Sequence, residues 1–264
     1  MKILITGVSG GMGFATAKRL RQEGHEIFGL DIKAPDKELT AIHFVQTDLT
    51  DAASVSRAYD AIRSKTQSID AIIHMAGIYD LNSFVEMQEE DFRRDFEVNL
   101  FAAFRVNKTF LPLLKKGGRI LITTSELAPL SPLPFTGIYG VTKTALESYA
   151  VSLRRELQLL DIGVIILRPG AVDTGLLNVS TGRLEDFCEN TSLYTYNANR
   201  FRSIVDRVES RKIPPERIAA LSSKALHAKH PKKIYKINRN PLLLLMNLAP
   251  SRLVDNVLKW ILIK

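Results

Sequence analysis

Along most of the chain, short apolar runs alternate with amphipathic stretches. "KILITG" (residues 2–7) is an apolar run ending in glycine, the pattern of a parallel strand buried on both faces. From Met12 to Gln22, Phe14, Ala17 and Leu20 recur at helical spacing, and Gly24 supplies a stop. "EIFGLD" predicts a second strand that ends at Asp31. The alternation continues through "AIHFVQTD", a helix over 52–65, "DAIIHMAG", a long helix over 89–114, "GRILITTS", a helix around Tyr139 and "GVIILRPG". At least six strands separated by helices predict α/β architecture, a doubly wound parallel sheet with helices on both faces. No repeat or linker-like stretch divides residues 1–264, so one domain is expected.

Beyond Gly170 the pattern loosens. Residues 173–212 are polar and irregularly spaced, and a segment of that length is expected to be a substrate lid rather than an ordinary connection. Helical spacing returns over 215–227, and "KIYKIN" predicts a last short strand. Residues 241–264 form two apolar pieces broken by Pro250 and flanked by cations. Two readings fit them: helices packed on the core or on a partner subunit, or a weak peripheral contact with membrane.

Charge changes the picture only at that end. The net charge is +8, but residues 200–264 carry 15 Lys/Arg against 4 Asp/Glu, or +11, which leaves −3 for the rest. A solvated face, an anionic membrane surface or an acidic ligand would each suit such a basic quarter. No zinc-finger spacing or RNA-binding signature accompanies it, so nucleic acid is not an expected partner. A lone cysteine, Cys188, rules out an internal disulfide framework and suits a reducing, cytoplasmic setting. The N-terminal apolar run reaches glycine too soon for a signal peptide, and no run of about 18 apolar residues offers a span.

Candidate chemistry begins between the first strand and helix, at "TGVSGGMG" (Thr6 to Gly13). Glycines there permit a tight turn and close approach of the backbone to a pyrophosphate, which the helix N-terminus favours. Asp31, 20 residues after Gly11, stands where a carboxylate can bind ribose hydroxyls and repel a 2′-phosphate, so NAD(H) is preferred; Lys33 nearby leaves NADP(H) open. Asp48 could touch the adenine or cap the next helix. "YGVTK" places Tyr139 and Lys143 one helical turn apart, so the ammonium is expected to lower the phenol pKa and fit it for proton transfer. Ser125 ends "RILITTS", where its hydroxyl can enter the crevice beyond the strand, with Thr123 and Thr124 as competing hydroxyls. The histidines at 25, 43, 227 and 230 show no ligand spacing with carboxylates, so no metal is expected.

These motifs resemble the short-chain dehydrogenase/reductase family over nearly the whole chain. The loop fits that family's Thr-Gly-x-x-x-Gly-x-Gly through Thr6, Gly7, Gly11 and Gly13, and through Gly10 also fits the form seen in the longer sugar-nucleotide epimerases. "FEVNLFAAF", which places Asn99, and "RPGAVDTGL" match the shorter members, and only 94 residues follow Gly170, little room for an epimerase substrate domain. The resemblance implies a Rossmann-type fold, an alcohol/ketone oxidoreductase, and a homodimer or homotetramer packed through the helices of Asn99 and Tyr139. It nominates Asn99, Ser125, Tyr139 and Lys143 as catalytic. For the cofactor it implies Thr6, Gly7, Ser9, Gly11, Met12, Gly13, Asp31, Asp48, Leu49, Ala76, Gly77, Tyr139, Lys143, Pro169, Gly170, Val172 and Thr174. A departure is "HMAG", where relatives usually have Asn-Asn-Ala-Gly; His74 is expected to take over a structural asparagine's work of holding neighbouring strands. "ELAPLSPLPFTG" with Leu176 and Leu177 predicts an apolar pocket suited to a lipid-, steroid- or retinoid-like molecule. The competing readings are a sugar-nucleotide enzyme and a dinucleotide-sensing regulator without turnover.

Overall fold

The computed structural model describes residues 1–35, 39, 41–209 and 211–263; the side chains of 176–181 and 208–209 also fall outside that description. Seven strands form one parallel sheet: β1 (Lys2–Thr6), β2 (Glu26–Asp31), β3 (His43–Gln46), β4 (Ile69–His74), β5 (Leu114–Thr123), β6 (Gly163–Pro169) and β7 (Ile234–Ile237). Their spatial order is β3-β2-β1-β4-β5-β6-β7. The register pairs Ile3 with Ile27 on one side and with Ala71 on the other, so the middle strands are covered on both faces and read as continuous apolar runs.

On one face pack α1 (Gly11–Gln22) and α8 (Glu216–His227). On the other lie α2 (Ala52–Arg63), α4 (Ala102–Phe110) and α5 (Gly137–Leu157), around Phe28, Val106, Phe110 and Ile122. Asp51 caps α2 through the Ala53 and Ser54 N–H groups. The long helix expected over 89–114 is interrupted. It comprises α3 (Glu89–Phe96), a π-helical turn at Glu97–Phe101, α4 and a 3-10 turn at Leu111–Leu113, after which β5 begins four residues before "GRILITTS".

Residues 173–212 are more regular than their sequence suggests. They form α6 (Gly175–Asn190) and α7 (Thr195–Glu209), which enclose a third small core. Leu184, Phe187 and Cys188 face Ala198, Phe201 and Val205, and Phe135 from the loop before α5 joins them, its ring 5.0 Å from Phe187 and 5.4 Å from Phe201. Among the described residues each helix buries three such side chains, and the break at 191–194 resets the phase, so no single period runs through the segment. The C-terminal apolar pieces are α9 (Pro241–Met246) and α10 (Ser251–Ile263); Leu262 docks in the third core, whereas Leu245, Leu248, Leu253 and Trp260 are exposed. Among the described residues, no helix is long and apolar enough to cross a membrane.

Candidate active site

The strand order reverses between β1 and β4, and the candidate residues gather beyond the carboxyl ends of β1, β4, β5 and β6, where open α/β sheets bind ligands. The loop after β1 turns tightly against the end of β4 and against itself. Gly7 has φ +68° and a side chain on it would begin 2.6 Å from the Ala76 nitrogen, while one on Gly13 would begin 1.9 Å from the Gly7 carbonyl oxygen. Gly10 caps α1 without a side-chain acceptor, and no acid occupies the first turn. Exposed N–H groups and the positive helix end therefore suit a pyrophosphate, and the glycine cradle fits a dinucleotide.

The surrounding residues hold this loop. The buried Thr6 hydroxyl accepts from the Met75 and Ala76 N–H groups at 3.3 and 3.4 Å. Asp31, at the end of β2, accepts from Ser9 N at 3.0 Å, and the Ser9 hydroxyl donates to the Lys33 carbonyl at 2.6 Å. Asp48 is not the α2 cap: it accepts from the backbone and hydroxyl of Thr50, at 2.8 and 2.7 Å, and those bonds hold its carboxyl below the usual range. Leu49 is buried in the core, and its carbonyl accepts from Arg105.

A cavity of about 880 Å³, mouth included, lies next to this loop. Met12, Gly77, Ser125, Tyr139, Lys143, Pro169, Gly170, Val172 and Thr174 all line it. Thr174 stands at the N-cap position of α6 beside Gly11, with its Cγ2 2.7 Å from where a side chain there would begin. The side chains of Leu176 and Leu177 lie outside the described residues, but Met75, Ile78, Leu127 and Leu243 give the cavity an apolar side.

Three hydroxyls end β5, and their partners distinguish them. Thr123 donates to the Met75 sulfur and Thr124 to Glu147, whereas Ser125 accepts from the Leu127 N–H at 3.2 Å and acts to lower the Tyr139 pKa in the cavity that both line. Lys143 is buried and donates to the Thr123 carbonyl at 3.3 Å. Its Nζ lies 5.7 Å from the centre of the Tyr139 ring, as residues one helical turn apart should. The expected fall in the phenol pKa does not follow. Burial pushes Tyr139 up to about 12, against the Ser125 hydrogen bond and with help from the Glu126 charge. Burial likewise brings Lys143 down to about 8. Desolvation outweighs the expected charge pairing, so the phenol is a proton donor at neutral pH.

Asn99 sits on the π-helical turn, a distortion that re-aims side chains at functional sites. Its amide accepts from Ile78 N at 2.8 Å and donates to the Ile78 carbonyl at 3.0 Å and the Thr142 hydroxyl at 3.1 Å. Gly77 lies between it and Lys143: a side chain there would begin 3.1 Å from the Asn99 oxygen and 3.2 Å from Nζ.

Several placements correct or extend the sequence reading. His74 bonds Asn107 on α4 at 2.8 Å, and Asn107 bonds the Tyr149 hydroxyl on α5, so the histidine ties strand to helix rather than strand to strand. Glu23, His25 and His227 converge after all, with donor atoms within 4.8 Å of one another at the opposite end of the strands. The Nε2 atoms of His25 and His227, 202 positions apart in sequence, lie 3.0 Å apart, a closeness that sequence spacing cannot show. Two polar cavity residues were given no role of their own: Tyr79, whose ring meets Tyr139 edge-on at 4.5 Å, and buried Glu126, the first residue of the loop expected to line an apolar pocket. Glu126 directly follows Ser125, so the strand-end argument could have found it.

A nucleotide cradle at the switch point, beside a cavity holding a serine, a tyrosine and a lysine, defines a dinucleotide-dependent oxidoreductase. The family model for short chain dehydrogenase matches residues 1–183, and the chain belongs to that family. It is an enzyme acting on CH–OH or carbonyl groups. The 3-ketodihydrosphingosine reductase of Bacteroides thetaiotaomicron is 28% identical over 98% of this chain and 95% of its own. The NADPH-dependent 3-dehydrocapnine reductase of Ornithobacterium rhinotracheale is 26% identical, over 96% and 94%. Among solved structures, the 3-ketoacyl-(acyl-carrier-protein) reductase of Brucella melitensis complexed with NADH shares the fold, with TM-score 0.71, 22% identity and coverage of 89% and 96%.

Proposed function

We propose that this enzyme interconverts a secondary alcohol and a ketone on an apolar, lipid-like molecule with NAD(H) as the preferred cofactor. The reading rests chiefly on the convergence of Ser125, Tyr139 and Lys143 on one apolar-walled cavity beside the glycine loop. In the reducing direction the carbonyl carbon gains a hydride and its oxygen gains the Tyr139 proton; in oxidation both leave. A bound nicotinamide cofactor supplies or accepts the hydride. Ser125 donates a hydrogen bond to the oxygen as charge develops, and Lys143, a cation at neutral pH, stabilises the phenolate left behind. Asn99 is a positioning residue that holds the Ile78 backbone against α5. The helices α6 and α7 serve as the lid over the pocket.

The names of the two reductases agree with a lipid-like ketone. The preference for NADH rests on Asp31, whose carboxylate would repel a 2′-phosphate; the relative of Ornithobacterium rhinotracheale is by name NADPH-dependent. Exposed Phe101 and Phe104 near α4 and Val141 on α5 suit a homodimer or homotetramer through those helices; sedimentation as a monomer would discard that part.

Nicotinamide fluorescence on titration with NADH and NADPH tests the cofactor reading. NADH should bind more tightly, and Asp31→Ala should erase the difference; tighter NADPH binding refutes the role of Asp31. Tyr139→Phe should keep cofactor binding while lowering turnover of apolar ketones by at least about 10²-fold, the scale of general acid catalysis. Undiminished turnover in that variant ends the tyrosine mechanism.

A further inference from the structure

At the amino ends of the strands, away from the cavity, three side chains able to ligate a metal meet where two helices and a strand join. Glu23 closes α1, His25 precedes β2 and His227 ends α8, which packs against α1. Their donor atoms all lie within 4.8 Å of one another. Glu23 and His25 are two residues apart, but His227 arrives only because α8 lies on α1.

The two imidazoles are aimed at each other. Nδ1 of His227 lies 2.8 Å from the Ser223 carbonyl, an oxygen that can only accept, so Nδ1 carries the proton and Nε2 keeps its lone pair. That lone pair faces Nε2 of His25 at 3.0 Å, while the other His25 nitrogen is taken by the Met1 amino group at 3.2 Å. Two lone pairs this close would repel, so one proton sits between the rings. Two nitrogens each about 2.0 Å from a tetrahedral zinc ion stand about 3.3 Å apart. The rings therefore need to part only slightly for an ion to displace that proton.

The carboxylate adds a third donor and a negative charge. Glu23 lies at the surface, where its side chain can turn towards the ring nitrogens without disturbing the core. Its Oε1 and Oε2 accept from the Ser223 hydroxyl at 3.0 and 2.8 Å, and Oε1 also pairs with Arg19 at 2.9 Å. Ser223 thus orients two of the three groups, Glu23 through its hydroxyl and His227 through its carbonyl, as the outer partners of metal ligands do. A hydrogen-bonded histidine pair alone would need neither the third donor nor that support.

We propose that Glu23, His25 and His227 bind one zinc ion, with water in the fourth position, and that the ion clips α8 to the junction of α1 and β2. Imidazole with carboxylate is a donor set that zinc accepts. The ion would lie at the opposite end of the strands from Tyr139, so it fastens the fold and takes no part in proton or hydride transfer. This site does not depend on the reading of the cavity.

The experiment titrates the full-length enzyme, stripped with a chelator, with zinc in a calorimeter. Wild type should take up one equivalent, and the ion should raise its unfolding temperature. His227 is exposed, so His227→Gln leaves the core intact. That variant and His25→Gln should each weaken binding by at least about tenfold to a hundredfold, the cost of losing even an outer partner of a ligand. Glu23→Gln should weaken it too, whereas His230→Gln, at an exposed histidine three residues further on, should bind as wild type does. Cobalt in place of zinc should give the visible absorption of a four-coordinate site in wild type and not in His227→Gln. No saturation at one equivalent, unchanged affinity in either histidine variant, or an equal loss in His230→Gln overturns the zinc site and leaves the oxidoreductase reading standing.

Discussion

His74 shows how one side chain couples this fold to pH. It is buried at the end of β4 against Asn107, and burial holds its pKa down to about 4. The unfolded chain takes up a proton near the ordinary histidine value of about 6.5, which the folded chain refuses until about 4. Below 6.5 the unfolded state therefore binds more protons, and stability falls as pH drops across that window, by about 3 kcal/mol in all. His74→Asn removes the titrating ring and retains an amide that can reach Asn107. Urea unfolding of both proteins between neutrality and pH 4 should show wild type losing about 3 kcal/mol more than the variant. Parallel curves would mean that the ring is not desolvated as described. The same physics acts at Tyr139, where burial overrides the lysine that the motif brings close.

At the scale of elements, catalytic geometry depends on how α5 is fastened to the sheet. Glu147, one turn beyond Lys143, pairs with Arg168 on β6 and also accepts from the Thr124 hydroxyl at 3.1 Å. Both members are nearly buried, with side chains 12–13% exposed, so either alone would be an uncompensated charge. Arg168→Leu should cost about 3 kcal/mol in unfolding free energy and lower kcat, because the helix carrying Tyr139 loses its tie to β5 and β6. Adding Glu147→Leu should recover most of the stability, since an apolar pair of similar size replaces the ions. A double variant no more stable than the single would show that packing, not charge, holds the helix. On the next element, the π-helical turn at Glu97–Phe101 brings Asn99 towards Gly77 and Lys143, a placement that a straight helix over 89–114 would not predict.

At the scale of the whole molecule, the C-terminus is both basic and exposed in its apolar side chains. Leu242, Leu245 and Leu248 on and after α9, and Leu253, Val257, Trp260 and Ile263 on α10, remain exposed, while Leu243 from the same segment reaches the cavity. With +11 of net charge over residues 200–264, we propose that this end lies on an anionic bilayer beside the cavity. The chain has one tryptophan, so the test needs no label. Vesicles containing phosphatidylserine should shift Trp260 emission to the blue and salt should reverse the shift, whereas neutral vesicles should leave it unchanged. Emission indifferent to anionic vesicles would exclude the contact and return these helices to a partner subunit.

The sequence by itself determined the layered architecture, because strands covered on both faces must be apolar throughout and the helices between them must be amphipathic. It also determined the positions of the glycine loop, Ser125 and the Tyr139–Lys143 pair, which follow from local spacing and from a strand end. The tertiary structure decided what long-range burial controls. It brought Glu126 to Asn240, set His74 on Asn107, joined His25 to His227, closed a small core between α6 and α7, and raised the Tyr139 pKa that spacing alone would lower. Each of these depends on which groups lose water together, and residues far apart in the chain show that only once they are folded against one another.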